Sequence, residues 1–238
     1  MNRFARLVGL GRRKRQVVFG DGPIRVLVFD FDGTIADTFW QGLEILNRMA
    51  PEFGYRQLTE EDLPKARDMT TRQLMRFLGI PNRRLPLIAR KGVRELRARI
   101  GEVQPIPGVP EVLRKLHARG VRLGIVTSNS QENVGVFLRN HDLEIFEFVR
   151  SSSRLLGKAR EIRQAMKNHG FGPQDVLFVG DETRDIEACK RAGIRCVAVT
   201  WGYNSEKVLA AQSPHLVIHR PGELSDLALY DPGEPAGA

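Results

Sequence analysis

Carboxylates stand at short spacings in two segments of this sequence, each at the end of an apolar run. Asp30 and Asp32 are one residue apart and precede Gly33, while Asp181 and Asp185 are separated by three residues. Side chains two residues apart on a strand point to the same side. Two carboxylates that close repel each other unless a cation or a proton lies between them. Since oxygen ligands suit Mg²⁺ and Gly33 permits a tight turn, the pattern predicts a metal-dependent reaction centre.

Hydroxyl groups and a lysine follow at two other positions along the chain. Thr127, Ser128 and Asn129 end another apolar run, and Lys158 begins a helical pattern. Such a turn can present hydroxyl and N–H groups to phosphate oxygens, and a lysine can neutralise phosphate beside carboxylates. Taken singly, these segments have simpler interpretations, since Asp-Gly is common in turns and acids at a helix start complement its dipole. Their shared position at predicted strand ends favours phosphoryl chemistry.

The elements that must position these residues alternate between strands and helices. Helical patterns lie at residues 109–119, 158–169 and 184–192. Short apolar runs predict strands at 25–30, 121–127, 145–149, 175–181, 194–200 and 215–219. Such alternation predicts an α/β fold with a parallel sheet, in which ligands bind at the carboxyl ends of the strands.

Residues 38–105 interrupt this alternation with helical patterns at 38–50, 59–78 and 83–100. We interpret this insert as a helical cap that covers the strand ends, although a bundle that only supports the core would give the same pattern. The predicted units are a basic N-terminal tail at 1–22, the α/β core at 23–37 and 106–228, the cap at 38–105 and a C-terminal tail at 229–238.

The net charge of +9 is distributed unevenly along the 238 residues. The first 20 residues carry six Lys or Arg and no acid, and the insert carries 13 Lys or Arg against eight acids. The basic tail is expected to be a solvated arm or to contact an anionic surface, and no nucleic-acid partner is expected. No apolar run reaches the roughly 20 residues of a membrane helix. Two cysteines without metal-ligand spacing favour a reduced, cytoplasmic setting.

In chain order, the chemical segments resemble the four motifs of the haloacid dehalogenase-like hydrolase superfamily. Asp30-x-Asp32-Gly33-Thr34 is similar to the first motif, Thr127 to the second, Lys158 to the third, and Gly180-Asp181-x-x-x-Asp185 to the fourth. The resemblance covers roughly residues 25–225. It implies a Rossmann-like parallel sheet core with an inserted C1-type cap. The segments 182–188 and 200–203 are similar to the phosphoglycolate phosphatase-like branch of the superfamily.

This resemblance also implies roles for the individual residues. Asp30 would attack phosphorus and form an aspartyl-phosphate, and Asp32 would act as acid and then base. Thr127 and Lys158 would complete the catalytic set. Mg²⁺ would bind Asp30, the Asp32 carbonyl and Asp181, with Asp185 nearby; Glu182 is an alternative ligand. Residues expected to contact the substrate are Gly33, Thr34, Ser128, Asn129, Arg67 and Arg72.

The expected activity is that of a phosphoric monoester hydrolase acting on a small phosphorylated metabolite. By resemblance, Asp32 distinguishes a phosphatase or phosphomutase from dehalogenases, which lack this second acid. The basic cap, with Arg67 and Arg72 near its specificity loop, favours an anionic leaving group, and 2-phosphoglycolate is the candidate substrate. Sugar phosphates, a phosphomutase, a pyrophosphatase and a regulatory or binding protein without turnover stay open as alternatives. The sequence does not predict the oligomeric state.

Overall fold

The computed structural model describes residues 24–152 and 157–227 in full, and only the backbone of 5–8 and 16–19. Near the N-terminus, β1 (Ala5–Val8) and β2 (Gln16–Phe19) pair antiparallel. The sequence analysis does not predict these strands, although two β-branched valines in β2 favour extended backbone. The side chains of the basic tail and the predicted C-terminal tail lie outside the described residues. Contact between the basic tail and an anionic surface therefore stays a prediction.

The core is one parallel sheet of six strands, which confirms the predicted α/β fold class. Its spatial order is β5-β4-β3-β6-β7-β8, and every neighbouring pair in it is parallel. The strands are β3 (Val26–Phe29), β4 (Arg122–Thr127), β5 (Phe148–Ser151), β6 (Val176–Gly180), β7 (Arg195–Val199) and β8 (Leu216–Ile218). Each lies at or near one of the predicted apolar runs.

The central strand β3 is buried on both faces, as the continuous apolar run implies. Leu27 and Phe29 pack into one hydrophobic cluster, whereas Val26 and Val28 pack into another on the opposite face. The chain order reverses between β4 and β6, which both pair with β3. Such a reversal opens a crevice at the carboxyl ends of the strands, and the insert follows directly from β3.

The insert forms helices, as predicted for residues 38–105. They are α1 (Phe39–Phe53), α2 (Leu63–Arg67), α3 (Thr71–Phe77) and α4 (Leu85–Arg97), with 3-10 turns at Glu60–Asp62, Asn82–Arg84 and Ile100–Glu102. The long pattern at 59–78 is thus divided into three short pieces. Thr70 begins α3 as its N-cap, accepting from Gln73 N, and Asp68 before it is held by Ser205 and Lys207 of the core.

Helix α1 runs three residues past the end of the helical pattern predicted at 38–50. Pro51 lies inside the helix, which ends only at Phe53 before Gly54 in the left-handed region. A proline in a helix leaves the carbonyl four residues earlier without its N–H donor. Here that carbonyl belongs to Asn47, and the Gln57 side chain donates to it at 2.9 Å. This hydrogen bond from Gln57 offsets part of the free-energy cost of a proline inside a helix.

Five helices in the described part of the chain flank the sheet. They are α5 (Val109–Ala118), α6 (Gln131–Asn140), α7 (Lys158–His169), α8 (Thr183–Ala192) and α9 (Glu206–Ala211). The sequence analysis predicts α5, α7 and α8 but not α6 or α9. Both unpredicted helices begin at a serine N-cap, Ser130 and Ser205, whose hydroxyls accept from the N–H three residues on. No helix in the described part of the chain is long and apolar enough to cross a membrane.

Candidate active site

Polar residues follow the central strands at one edge of the sheet. Asp30 comes directly after β3, Asp181 directly after β6, and Thr127 is the last residue of β4. Phe29 is in register with Ile125 and Val179 on the neighbouring strands. Because all three strands run in the same direction, their carboxyl ends meet, and the polar residues lie close together at the crevice.

Asp30 is held in place by one hydrogen bond and one ion pair. Its Oδ1 accepts from Phe31 N at 2.8 Å, and its Oδ2 lies 2.7 Å from Lys158 Nζ. The contact with Lys158 is an ion pair without the geometry of a hydrogen bond. Oδ2 is therefore a buried oxygen with no hydrogen-bond donor among the described residues. Lys158 is 5% exposed and also pairs with Asp185 Oδ1 at 2.5 Å. Burial lowers the pKa of Lys158, but the Asp185 and Asp30 carboxylates more than offset this and raise it.

Asp30, Asp181 and Asp185 form a buried cluster of acids. One carboxylate oxygen of each lies within 4.8 Å of the others. Burial raises the pKa of Asp181, and the charges of Glu182 and Asp185 raise it further. Lys158 alone does not balance three carboxylates at this spacing. The oxygen-only donor set and its excess negative charge suit a hard divalent cation, so this cluster could hold a metal ion.

The Asp181 carboxylate is fixed from both sides. Thr34 Oγ1 donates to its Oδ1 at 2.6 Å, and Tyr203 N donates to its Oδ2 at 2.7 Å. Gly33 has a φ of +73°, and a Cβ there would overlap Asp181 Oδ2 and the Tyr203 ring. Glycine is therefore required at this turn for both its conformation and its small size. The structure places Thr34 against the acid cluster rather than on the cavity described below.

Asp32 occupies a different environment from Asp30, although only Phe31 separates them. Its carboxylate is partly exposed and lines a cavity, and Asn129 Nδ2 donates to both of its oxygens at 3.1 Å. Burial, together with the charge of Asp30, raises the pKa of Asp32 to about 6. This carboxyl can therefore exchange a proton near neutral pH, as a general acid or base must.

The turn after β4 is folded against the same acids. Asn129 N donates to Thr127 Oγ1 at 3.0 Å, and Asn129 Oδ1 accepts from Ser130 N at 2.8 Å. Thr127 is fully buried, whereas Ser128 and Asn129 line the cavity beside Asp32. The turn thus places Ser128 and Asn129 at the cavity beside Asp32, and contact of this turn with phosphate oxygens stays a prediction.

A cavity of about 820 Å³ lies between the strand ends and the helical insert at residues 38–105, which is called the cap below. Arg67 lines it, with its guanidinium carbon 5.4 Å from the centre of the Phe39 ring. Arg72, which was expected beside it, is exposed and is not part of the lining. It is the second residue of α3, and its side chain points to solvent. Of the two cap arginines predicted to bind substrate, the structure brings only Arg67 to the cavity.

The part of the chain that matches a known protein family includes all the acids of the site. The family model described as haloacid dehalogenase-like hydrolase matches residues 27–199. The chain belongs to this family. The predicted family membership and the expectation that the chain is an enzyme are both confirmed.

Individual relatives of this hydrolase agree with that assignment. A phosphoglycolate phosphatase of Synechococcus elongatus is 35% identical over 202 residues, which cover 84% of this chain and 95% of the relative. A haloacid dehalogenase-like hydrolase of Streptococcus pneumoniae has a similar structure, with a TM-score of 0.67, 23% identity and coverage of 85% and 97%. A predicted phosphatase of Clostridium acetobutylicum gives a TM-score of 0.73 at 18% identity, with coverage of 85% and 97%. The two structures support the fold alone.

Two residues in the site of this hydrolase were not predicted from the sequence. Arg184 lines the cavity and pairs with Glu182, whose Oε1 accepts from Arg184 Nε at 2.9 Å and from its Nη2. Glu182, the alternative metal ligand, is thus engaged by Arg184 and lies outside the cluster of three acids. Asn204 joins the core to the cap, because it contacts both Thr183 N and the carbonyls of residues 67 and 69. The signal in the sequence that could have indicated these residues is their position, since Arg184 follows β6 and Asn204 follows β7.

Proposed function

We propose that this hydrolase is a Mg²⁺-dependent phosphatase that cleaves a small phosphate monoester through an aspartyl-phosphate on Asp30. The observation that carries this proposal is the contrast between its first two acids. Asp30 is buried and ion-paired with Lys158, whereas Asp32 faces the cavity and has a pKa of about 6. Two carboxyl groups in such unlike environments suit unlike roles, one as nucleophile and one as proton carrier.

In the first step, an oxygen of Asp30 attacks phosphorus and forms a new P–O bond as the ester P–O bond breaks. Asp32 donates its proton to the departing oxygen, which leaves as an alcohol. In the second step, water attacks phosphorus and gives its proton to Asp32. Inorganic phosphate departs, the Asp30 carboxylate is restored, and Asp32 is again protonated. Lys158 keeps the Asp30 oxygen oriented and balances part of the negative charge.

The metal belongs to this proposal, and the buried oxygens fit it. Asp30, Asp181 and Asp185 would hold Mg²⁺ together with the main-chain carbonyl of Asp32. When bound, the cation neutralises charge on the transferring phosphoryl group. The hydrogen bonds from Thr34 and Tyr203 to Asp181 would fix that ligand.

The substrate class rests on the relatives and on the cavity. The Synechococcus elongatus relative is a phosphoglycolate phosphatase, so 2-phosphoglycolate is the first substrate to test. Ser128 and Asn129 line the cavity next to Asp32 and are proposed to contact the phosphoryl oxygens, with Thr127 supporting their turn. The cytoplasmic setting stays a prediction.

The test is release of inorganic phosphate from p-nitrophenyl phosphate and from 2-phosphoglycolate with Mg²⁺, before and after addition of EDTA. Asp30→Asn should abolish release, and EDTA should do the same until Mg²⁺ is restored. Asp37→Asn is a matched control, because Asp37 follows the same turn but is absent from the acid cluster and the cavity lining. Equal rates for the wild type and Asp30→Asn would show that Asp30 is not the nucleophile.

The covalent step has its own measurement. Acid quenching during turnover of ³²P-labelled substrate should trap one labelled phosphate on the protein, and Asp30→Asn should trap none. Calorimetric titration with Mg²⁺ should show weaker binding for Asp181→Asn than for Asp37→Asn. Transfer of phosphate to a second sugar phosphate without release of inorganic phosphate would instead identify a phosphomutase.

A further inference from the structure

Arg184 is a cation built into the floor of the cavity. It lies near the start of α8, and its side chain is 14% exposed. Glu182 holds it from one side, since one carboxylate oxygen accepts from both Nε and Nη2. An arginine held this way has a fixed orientation, because its planar fork can no longer rotate freely. Its position relative to the cavity is therefore set before any ligand arrives.

The outer edge of this guanidinium remains open. An arginine carries five N–H donors, and Glu182 takes one from Nε and one from Nη2. Within residues 24–152 and 157–227, the donors on Nη1 and the second donor on Nη2 meet no acceptor. Nη1 is not among the buried unpaired atoms of these residues, and Arg184 lines the cavity, so Nη1 is accessible from the cavity. Nη1 and Nη2 form the fork that binds a carboxylate with two parallel hydrogen bonds.

The site has two cations with different surroundings. Lys158 contacts Asp30 and Asp185 and lies beneath the cavity, outside its lining. Arg184 lines the cavity together with Asp32. The Arg184 charge also lowers the pKa of Asp32, against the larger effects of burial and of Asp30. Lys158 thus contacts the acids of the phosphoryl end. Arg184 contacts Glu182 and faces the cavity beside Asp32, although the charges of Asp30 and Asp185 also raise the pKa of Arg184.

Among the described residues that line the cavity, Arg184 is the cation on the core side. Most of the cap side is apolar, with Leu43, Leu46, Leu63, Met69, Leu74 and Leu87 among the lining residues. An anion placed there without a partner would lose its hydration at high cost. Arg184 offers compensation at the core side, and Arg67, Arg83 and Arg90 line the cavity from the cap side. Because Glu182 and Arg184 together carry no net charge, the buried Arg184 side chain is compensated before any anion binds.

We propose that Arg184 binds a carboxylate carried by the leaving group, so that the preferred substrates are phosphomonoesters of hydroxy acids. This inference rests on the proposed function, because the leaving group is defined by attack at phosphorus. The Nη1–Nη2 edge binds the carboxylate in a bidentate manner while Asp32 protonates the ester oxygen. Arg184 is then a specificity-determining residue, and Glu182 is the positioning residue that orients it.

The experiment compares two esters that differ at one group. 2-Phosphoglycolate carries the carboxylate, and 2-hydroxyethyl phosphate replaces it with a neutral alcohol. For Arg184→Gln we expect kcat/KM for 2-phosphoglycolate to fall by about 100-fold or more, since two charge-assisted hydrogen bonds are lost. The value for 2-hydroxyethyl phosphate should fall much less, so the ratio of the two kcat/KM values should fall as well. Arg184→Lys should restore only part of the selectivity, because an ammonium cannot make the bidentate contact.

A double variant separates recognition from structural damage. Arg184→Gln alone leaves the Glu182 carboxylate unpaired beside the acid cluster, which could disturb folding or Mg²⁺ binding. Glu182→Gln with Arg184→Gln removes both charges and should show the same loss of selectivity. Competitive inhibition by glycolate should weaken in parallel in every Arg184 variant, which a merely structural role would not produce.

The outcomes distinguish this inference from the proposed function. If every Arg184 variant slows both esters equally, Arg184 acts at the phosphoryl group and the inference is wrong, while the phosphatase function stands. If the wild type hydrolyses both esters with equal efficiency, no carboxylate is recognised and the inference also fails. If the wild type releases phosphate from neither ester nor from p-nitrophenyl phosphate, the proposed function itself fails.

Discussion

Asn204 connects the acid motif to the cap through a single side chain. Its Oδ1 accepts from Thr183 N at 2.9 Å, at the start of α8. Its Nδ2 donates to the carbonyls of Arg67 and Met69, at 3.3 Å and 3.1 Å. Asn204 is buried, with only 7% of its surface exposed. We expect replacement of Asn204 to weaken the hold of the core on the cap segment that carries Arg67.

The expected cost of Asn204→Ala follows from these three contacts. Thr183 N loses its side-chain acceptor at a buried position, which costs about 1–3 kcal/mol. Met69 O loses its donor from Asn204, while Arg67 O keeps a second donor, Ser205 N at 2.9 Å. With about 0.5–1.5 kcal/mol for each lost hydrogen bond, the free energy of unfolding should fall by about 2–4 kcal/mol. Urea unfolding at fixed pH measures this change.

Two further variants separate stability from coupling. Asn204→Asp keeps an acceptor for Thr183 N, at a helix start where negative charge is favourable, but loses both donors to the cap. Because it also places a buried carboxylate oxygen against the two carbonyls, it should cost at least as much stability as Asn204→Ala. It should raise KM for 2-phosphoglycolate by about 5- to 10-fold, a shift of roughly 1–1.4 kcal/mol. Asn47→Ala is the matched control, because Asn47 bonds Leu58 N and O at 2.8 Å and 2.7 Å wholly within the cap.

Hydrogen exchange provides the direct measurement of the coupling. Both Asn204 variants should increase exchange in the cap segment 63–71, whereas Asn47→Ala should increase it mainly around residue 58. If both Asn204 variants leave KM and exchange in this segment unchanged, Asn204 does not hold the cap and the reasoning is refuted. A loss of stability alone, equal to that of Asn47→Ala, would lead to the same conclusion.

Two more predictions concern the acids themselves. A Cβ at Gly202 would overlap the Asp181 carboxylate, so Gly202→Ala should weaken Mg²⁺ binding measured by calorimetry, while Gly222→Ala, with nothing within 4 Å, should not. The pKa of Asp32 is raised to about 6 by burial and by Asp30, so the folded protein holds this proton more tightly than the unfolded chain. Stability from this group is therefore lost as pH rises from about 4 to about 6. In metal-free protein, the free energy of unfolding is measured for Asp32→Asn and for the wild type at two pH values. The difference should favour the variant by on the order of 2–3 kcal/mol more at pH 7.5 than at pH 4. An equal difference at both pH values would contradict the assignment.

The sequence predicts the sheet and the acid cluster well because both depend on local patterns. A short β-branched run that ends in an acid specifies a buried strand and its carboxyl end together. Asp30 and Asp181 therefore needed only the parallel topology to meet. The prediction for Lys158 depends on the resemblance, since nothing local distinguishes it from a solvated lysine at a helix start.

The parts that sequence patterns miss depend on tertiary contacts. The division between α2 and α3 is set by Ser205 and Lys207, which hold Asp68 from a distant part of the chain. Arg67 and Arg72 both lie in the predicted helix at 59–78, but Arg67 lines the cavity and Arg72 is exposed to solvent. Arg184 lies between Glu182 and Asp185 in a segment that the sequence predicts to bind a metal. The sequence pattern therefore does not indicate a role for this arginine.

The acids of the site differ in their partners, and this difference orders their chemistry. Asp30 and Asp185 contact Lys158, and Glu182 contacts Arg184. Asp181 has no cation in contact among the described residues, but it is fully buried and takes hydrogen bonds from Thr34 and Tyr203. Asp32 alone among the site's described acids both faces the cavity and contacts only neutral donors. Its proton can therefore move without breaking an ion pair, which is what protonation of a leaving group and activation of water both require.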